Sequence, residues 1–212
     1  MSEKNNYYKT RFKFDKDRTK VWRALCEFIQ KFAVPNPTVL ELGAGYCDFI
    51  NNFKAKAKYA LDIDPTSKEY ANPAVTFFQQ KTIDPIDLPS NSVDFVFASN
   101  LFEHLNDEAL NATMQNLSKH LKVGGKIALM QPNYKYCSKD YFDDYTHVKV
   151  FSHVSLSDFL QAHGYKITKC IPRFVPFSMK SRLPKSYFLT KLFVNSPIRP
   201  TAKQMLIIAE KT

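Results

Sequence analysis

"VLELGAGYCDF" (residues 39–49) is the stretch on which the fold turns. A run of apolar residues stops at Glu41, and two glycines follow at Gly43 and Gly45. A buried strand therefore bends sharply into a helix here, and the two glycines let a ligand approach the bare backbone. In open α/β sheets the ligand lies at the carboxyl ends of the strands, where the strand order reverses. About 20 residues on, "LDID" (61–64) ends a second strand with acids, and an acid at that place can accept hydrogen bonds from both hydroxyls of a ribose. A dinucleotide site needs a third glycine at the start of the helix, and that position is Asp48. An aspartate there repels a pyrophosphate, so a ribose-bearing ligand without phosphate, preferably cationic, fits better.

S-adenosylmethionine has an adenosine ribose, an ammonium and a sulfonium, and no phosphate. At these residues the chain resembles the class I S-adenosylmethionine-dependent methyltransferases. "LELGAGYCDF" is similar to their first motif and "LDIDP" to their second acidic motif. "IDPIDLPSNSVDFVFASNLFEHL" is similar to their stretch from the adenine-contacting acid through the fourth strand, and "LKVGGKIALMQPN" to the lead into the fifth. The likeness covers residues 38–171 and the last strand. It implies a Rossmann-like sheet of seven strands, the last antiparallel, and methyl transfer from S-adenosylmethionine with S-adenosylhomocysteine as product. Carried over by motif, Glu41, Gly43 and Gly45 would hold the amino-acid end of the cofactor. Asp62 would bind the ribose with Ile63 beside it, Ile83 and Asp84 would meet the adenine, and Ser99 and Asn100 would approach the reaction centre. Cys47 departs from the glycine many members have, which would tighten the pocket.

Working outward, apolar residues from Val21 to Phe32 fall on one helical face, and Pro35 and Pro37 end that helix. Strands are expected at 38–42, 59–64, 74–80, 92–99, 126–131, 165–171 and 204–210. A helix from Asn106 to His120 is stopped by Gly124 and Gly125, and a second one is capped by Ser155. Strands alternating with helices give a doubly wound α/β sheet in a single domain. Residues 1–37 form an N-terminal helical extension, a candidate cover over the active site, and 38–212 form the methyltransferase domain. The aromatic and basic stretch 172–202 is an insertion before the last strand.

The chain of 212 residues, 44% hydrophobic with 18 Phe and 11 Tyr, can bury one full core. No apolar run has membrane-spanning length, the N-terminal residues lack a signal pattern, and Cys26, Cys47, Cys137 and Cys170 form no CxxC pair. A cytoplasmic protein with reduced thiols is the expectation. The net charge of +10 is uneven. Residues 1–38 carry nine Lys/Arg against four Asp/Glu, and residues 172–212 carry eight against one. The span between them carries 13 against 15, so the positive charge sits in the flanks.

Methyl transfer is a displacement that depends on alignment, and a hydroxyl acceptor also gains from a general base. "YFDDYTHVKVF" (141–151) follows the fifth strand, and there His147 is the candidate base with Asp144 to orient it. Asn133, ending the same strand, is a candidate to point into the cleft. Related methyltransferases bind a metal through E-x-x-E-H. Here Asn100 replaces the first acid, leaving Glu103 and His104, so no metal is expected. Aromatic and basic residues in the flanks suit an anionic acceptor, with Tyr8, Arg11, Arg173 and Arg182 as candidate contacts. The basic flanks also allow peripheral contact with a membrane.

Three functions compete. The first is O-methylation of a small-molecule, glycan or lipid-linked acceptor. The second is methylation of nucleic acid, which the charge permits, although there is no N/D-P-P-Y/F tetrapeptide and no RNA-binding module. The third is a binding protein that keeps the fold without the chemistry, against which stand the intact Gly43, Gly45 and Asp62.

Overall fold

The computed structural model describes residues 14–176 and 185–212. Seven strands build one sheet: β1 (Thr38–Leu42), β2 (Ala57–Asp62), β3 (Val75–Gln79), β4 (Val93–Ser99), β5 (Leu121–Pro132), β6 (Tyr165–Val175) and β7 (Gln204–Lys211). Their order is 3-2-1-4-5-7-6. The pairs among β1 to β5 are parallel, and β7 runs antiparallel to both β5 and β6. The helices are α1 (Arg18–Ile29), α2 (Asp48–Asn52), α3 (Asp107–His120), α4 (Tyr134–Cys137), α5 (His153–Ala162) and α6 (Tyr187–Asn195). The doubly wound seven-stranded sheet read from the sequence is the one the chain forms, antiparallel last strand included.

Alternation along the strands divides the core between two faces. From β4, Phe95 and Phe97 pack with Trp22, Leu25 and Ile29 of α1 and with Phe49 of α2. Val96 and Ala98 pack on the other side with Leu110, Met114 and Leu117 of α3 and Leu156 of α5. The rings of Phe49 and Phe97 stack with centroids 3.8 Å apart. β1 lies between β2 and β4, so the crossover direction reverses there, and the crevice opens at its carboxyl end.

Several boundaries differ from the sequence reading. α3 ends at His120, before either glycine, because Leu121 is drawn into pairing with Val93 and starts β5 early. Gly124 lies inside that strand with φ +75°. The cap of α5 is Ser152, whose hydroxyl and that of Ser155 bond each other's backbone N–H groups, so Ser155 occupies the third helical position. β6 runs on to Val175, so residues 172–175 belong to the sheet and the insertion is shorter. Phe174 is accordingly a core residue packed on Phe28, with centroids 5.1 Å apart.

The two flanks meet each other. Asp15 pairs with Lys185, Tyr187 bonds both oxygens of Glu27, and Lys31 reaches Asn195 at 2.8 Å. No helix of the described residues is long and apolar enough to cross a membrane, and all four cysteines are free.

Candidate active site

The turn after β1 takes the form its glycines permit. Gly43 and Gly45 have φ of +65° and +51°, the left-handed region that an L side chain enters at a cost. Cys47 shares that conformation at φ +55°. Its side chain does not tighten a pocket, as its sulfur is buried beneath the turn, 3.5 Å from the Ser67 carbonyl.

Three carboxylates surround this turn. Asp62, buried at the end of β2, accepts one backbone N–H on each oxygen, from Gly45 and from Asp64, both at 2.8 Å. A carboxylate offers about four acceptor sites, a capacity that suits the paired hydroxyls of a ribose. Glu41 accepts the Ile50 N–H at 3.0 Å and so ties β1 to α2. Asp48 pairs with Arg18 of α1 at 2.8 Å, and both side chains are largely buried. Burial pushes the Glu41 carboxyl well above the usual range. The Ile50 N–H opposes this, while the charges of Asp48 and Asp62 reinforce it. Such a cluster is badly matched to a phosphate and well matched to a ligand carrying an ammonium and a sulfonium. The residues present therefore fit S-adenosylmethionine.

Glu41 also permits a stability test. Its folded pKa is raised, so its contribution favours the fold at pH below the ordinary carboxylate range and is lost as pH rises. Glu41→Gln keeps an acceptor for Ile50 and removes the charge. The ligand-free variant should melt above wild type at pH 7 and level with it near pH 4, in scanning calorimetry at both values. Its affinity for S-adenosylmethionine should fall by about tenfold or more, from the loss of a charged partner.

At the same edge Ile63 and Ile83 are 40% and 39% exposed, apolar surface suited to a flat base. Asp84 accepts the Lys81 N–H at 3.0 Å and shapes the loop there. Asn100, just past β4, is also left-handed at φ +49°. Its N–H bonds the Met130 carbonyl at 2.9 Å and its amide reaches the Ser99 hydroxyl at 3.2 Å.

A second cluster joins the loops after β4 and β5. His147 is buried, with Nδ1 2.6 Å from the Tyr141 carbonyl. Nδ1 of His104 lies 3.0 Å from the Thr146 hydroxyl, which donates to Asp144 at 2.6 Å. The two imidazole centroids are 4.8 Å apart. Burial alone would raise the pKa of Asp144, but bonds from Thr146 and the nearby imidazoles outweigh it and keep the carboxyl low. Asp144 thus reaches His104 through Thr146, while the carbonyl of Tyr141 orients His147. Glu103 is fully buried, neither of its carboxylate oxygens has a hydrogen-bond partner among the described residues, and burial lifts its pKa to about 8.

The fold turns other expected site residues to structural tasks. Asn133 is fully buried rather than aimed into the cleft. It caps α4 and donates to the Pro172 carbonyl at 2.9 Å. Arg173 donates Nε to the Ala202 carbonyl at 3.0 Å, bonds the Pro200 carbonyl and covers the ring of Tyr136, so it holds β6 to the segment entering β7. Tyr8, Arg11 and Arg182 lie outside the described residues. Phe14 rests on Tyr46 of the glycine turn and on Tyr70, with centroids 5.2 and 4.9 Å away. Glu103 and His104, weighed in the sequence as metal ligands and set aside as too few, lie beside His147, which is far along the chain.

Comparison with known proteins agrees with this geometry. A family model described as a methyltransferase domain matches residues 14–169. Phosphoethanolamine N-methyltransferase 1 of Triticum aestivum is 36% identical over 106 residues, which are 44% of this chain and 21% of that protein. The chain thus spans about a fifth of that relative. Among solved structures, a SAM dependent methyltransferase from Archaeoglobus fulgidus superposes over 100% of both chains with a TM-score of 0.68 at 18% identity. One from Aquifex aeolicus covers 99% of this chain and 98% of its own, with a TM-score of 0.60 at 16% identity.

Proposed function

The chain belongs to the methyltransferase domain family and is an S-adenosylmethionine-dependent enzyme, and from that premise we propose that it methylates an oxygen of a small, anionic acceptor, free, glycan-borne or lipid-linked. When bound, the cofactor supplies an electrophilic methyl group on a good leaving group. The chain's own part is alignment and proton handling. The glycine turn, Asp62 and Glu41 hold the cofactor, and α1 with Phe14 closes over the turn. An acceptor hydroxyl lies against the loops after β4 and β5, where His147, its Nδ1–H engaged by Tyr141, presents Nε2 as the proton acceptor. The observation that carries this reading is the convergence of His104, His147 and Asp144 beside the exits of β4 and β5. The uneven charge of the flanks supports an anionic acceptor.

A second reading is methylation of an amine, which the wheat relative's activity favours. The two separate in a pH profile. A panel of phosphorylated alcohols and amines should show transfer to the alcohols, with an acid limb from protonation of the base. His147→Asn should lower kcat by about 100-fold or more, flatten that limb and leave cofactor affinity unchanged. Transfer to amines alone, unaffected by His147→Asn, overturns the O-methylation reading.

A further inference from the structure

We propose that Glu103, His104 and His147 form a binding site for a divalent first-row transition cation of the zinc or iron(II) type. Each offers one ligand atom, and these atoms lie within 4.8 Å of one another. In a tetrahedral site with bonds near 2.1 Å the ligand atoms are about 3.4 Å apart. Closing from the observed spacing needs each atom to move by less than about 1 Å, within the reach of small side-chain rotations.

Three independent features support a built site. The first is the carboxylate of Glu103, fully buried with neither oxygen hydrogen-bonded among the described residues. A buried acid without a partner is costly, and a cation is the partner that three such groups can share. The second is the orientation of the imidazoles. Nδ1 of His147 faces the Tyr141 carbonyl at 2.6 Å, and Nδ1 of His104 faces the Thr146 carbonyl at 3.2 Å and hydroxyl at 3.0 Å. A carbonyl on Nδ1 fixes the proton there and makes Nε2 the lone-pair nitrogen, which is how ligating histidines are usually held. The third is rigidity. The Glu103 carbonyl accepts the N–H groups of Val148 and Lys149 at 2.9 and 3.0 Å, so the loop carrying His147 is latched to the turn carrying the other two ligands.

Two imidazoles and one carboxylate select against magnesium and calcium, which prefer all-oxygen sets. Three protein ligands leave a coordination position open, as in catalytic metal sites. With a cation bound, this site takes over the proton-acceptor role given to His147 above, and its catalytic meaning rests on the proposed transfer to oxygen. With a cation in place His147 is a ligand, and an acceptor hydroxyl at the open position would ionise through its lowered pKa, its proton passing to solvent water rather than to the imidazole. The site also revises the metal-free expectation, which counted one carboxylate and one imidazole because His147 was not placed beside them.

The test uses untagged full-length protein, stripped with chelator, and the metal alone. Addition of Co²⁺ should produce visible d–d bands at one equivalent, and Zn²⁺ should displace it and raise the melting temperature. Glu103→Gln and His147→Asn, checked for folding by circular dichroism, should each weaken Zn²⁺ binding by about 100-fold or more, beyond the usual effect of a supporting residue. S-adenosylmethionine affinity should be unchanged in both. Absence of the Co²⁺ bands, or Zn²⁺ binding equal in wild type and both variants, overturns the site. Because no acceptor is present, that failure would leave the proposed methyl transfer standing, and failure to methylate alcohols would leave the metal site standing.

Discussion

Gly43→Val is expected to fold and to lose S-adenosylmethionine binding by more than about 100-fold, a cost near 3 kcal/mol. Two effects add. Gly43 has φ +65°, and a β-branched residue held there costs roughly 1–2 kcal/mol. A Cβ at Gly43 would also stand 3.1 Å from Cδ1 of Leu101, whose neighbour Asn100 is itself left-handed. Both losses fall on the wall of the crevice, where the ligand needs bare backbone. The total is small against the roughly 5–15 kcal/mol that holds a domain folded, so the variant should remain native. Calorimetric titration with circular dichroism reads both. Native structure with wild-type affinity would show that the cofactor sits elsewhere.

Asp62→Ala should be comparably severe. Loss of charge-assisted bonds to a ribose is worth about 1.5–3 kcal/mol, roughly 10- to 100-fold in affinity. The same substitution frees the N–H groups of Gly45 and Asp64, both held at 2.8 Å, so the glycine turn loses its brace as well. The combined loss should exceed about 100-fold. Asp64 is a poorer substitute, because its Oδ1 already caps the following turn by accepting both the N–H and the hydroxyl of Thr66 at 2.8 Å. Asp62→Asn, which keeps one acceptor oxygen, should fall between. An Ala variant that binds normally would remove Asp62 from the site.

The fold was legible in the sequence because its signals are local. Buried parallel strands read as short apolar runs, and "TVLEL" (38–42) is β1 residue for residue. The glycine turn and the acid after the second strand declare a strand-to-helix crevice from spacing alone, and Asp48 in place of a third glycine argues against a pyrophosphate there. The errors at element ends have one cause. Pairing partners decide where a strand starts, and neither Val93 pulling Leu121 out of α3 nor Gln204 drawing Val175 into β6 is written near those residues.

Side-chain tasks were decided by the tertiary structure. Asn133 and Arg173 have the chemistry of ligand contacts, yet neighbours from other elements claim them, Pro172 for one and the carbonyls of Pro200 and Ala202 for the other. Conversely, "FEHL" (102–105) looked short of ligands until the loop after β5 laid His147 against it. A binding turn is made by consecutive residues and is visible along the chain. A cluster of acid and imidazole is made by loops that meet only when the sheet is assembled, so sequence supplies its members and the fold alone brings them together.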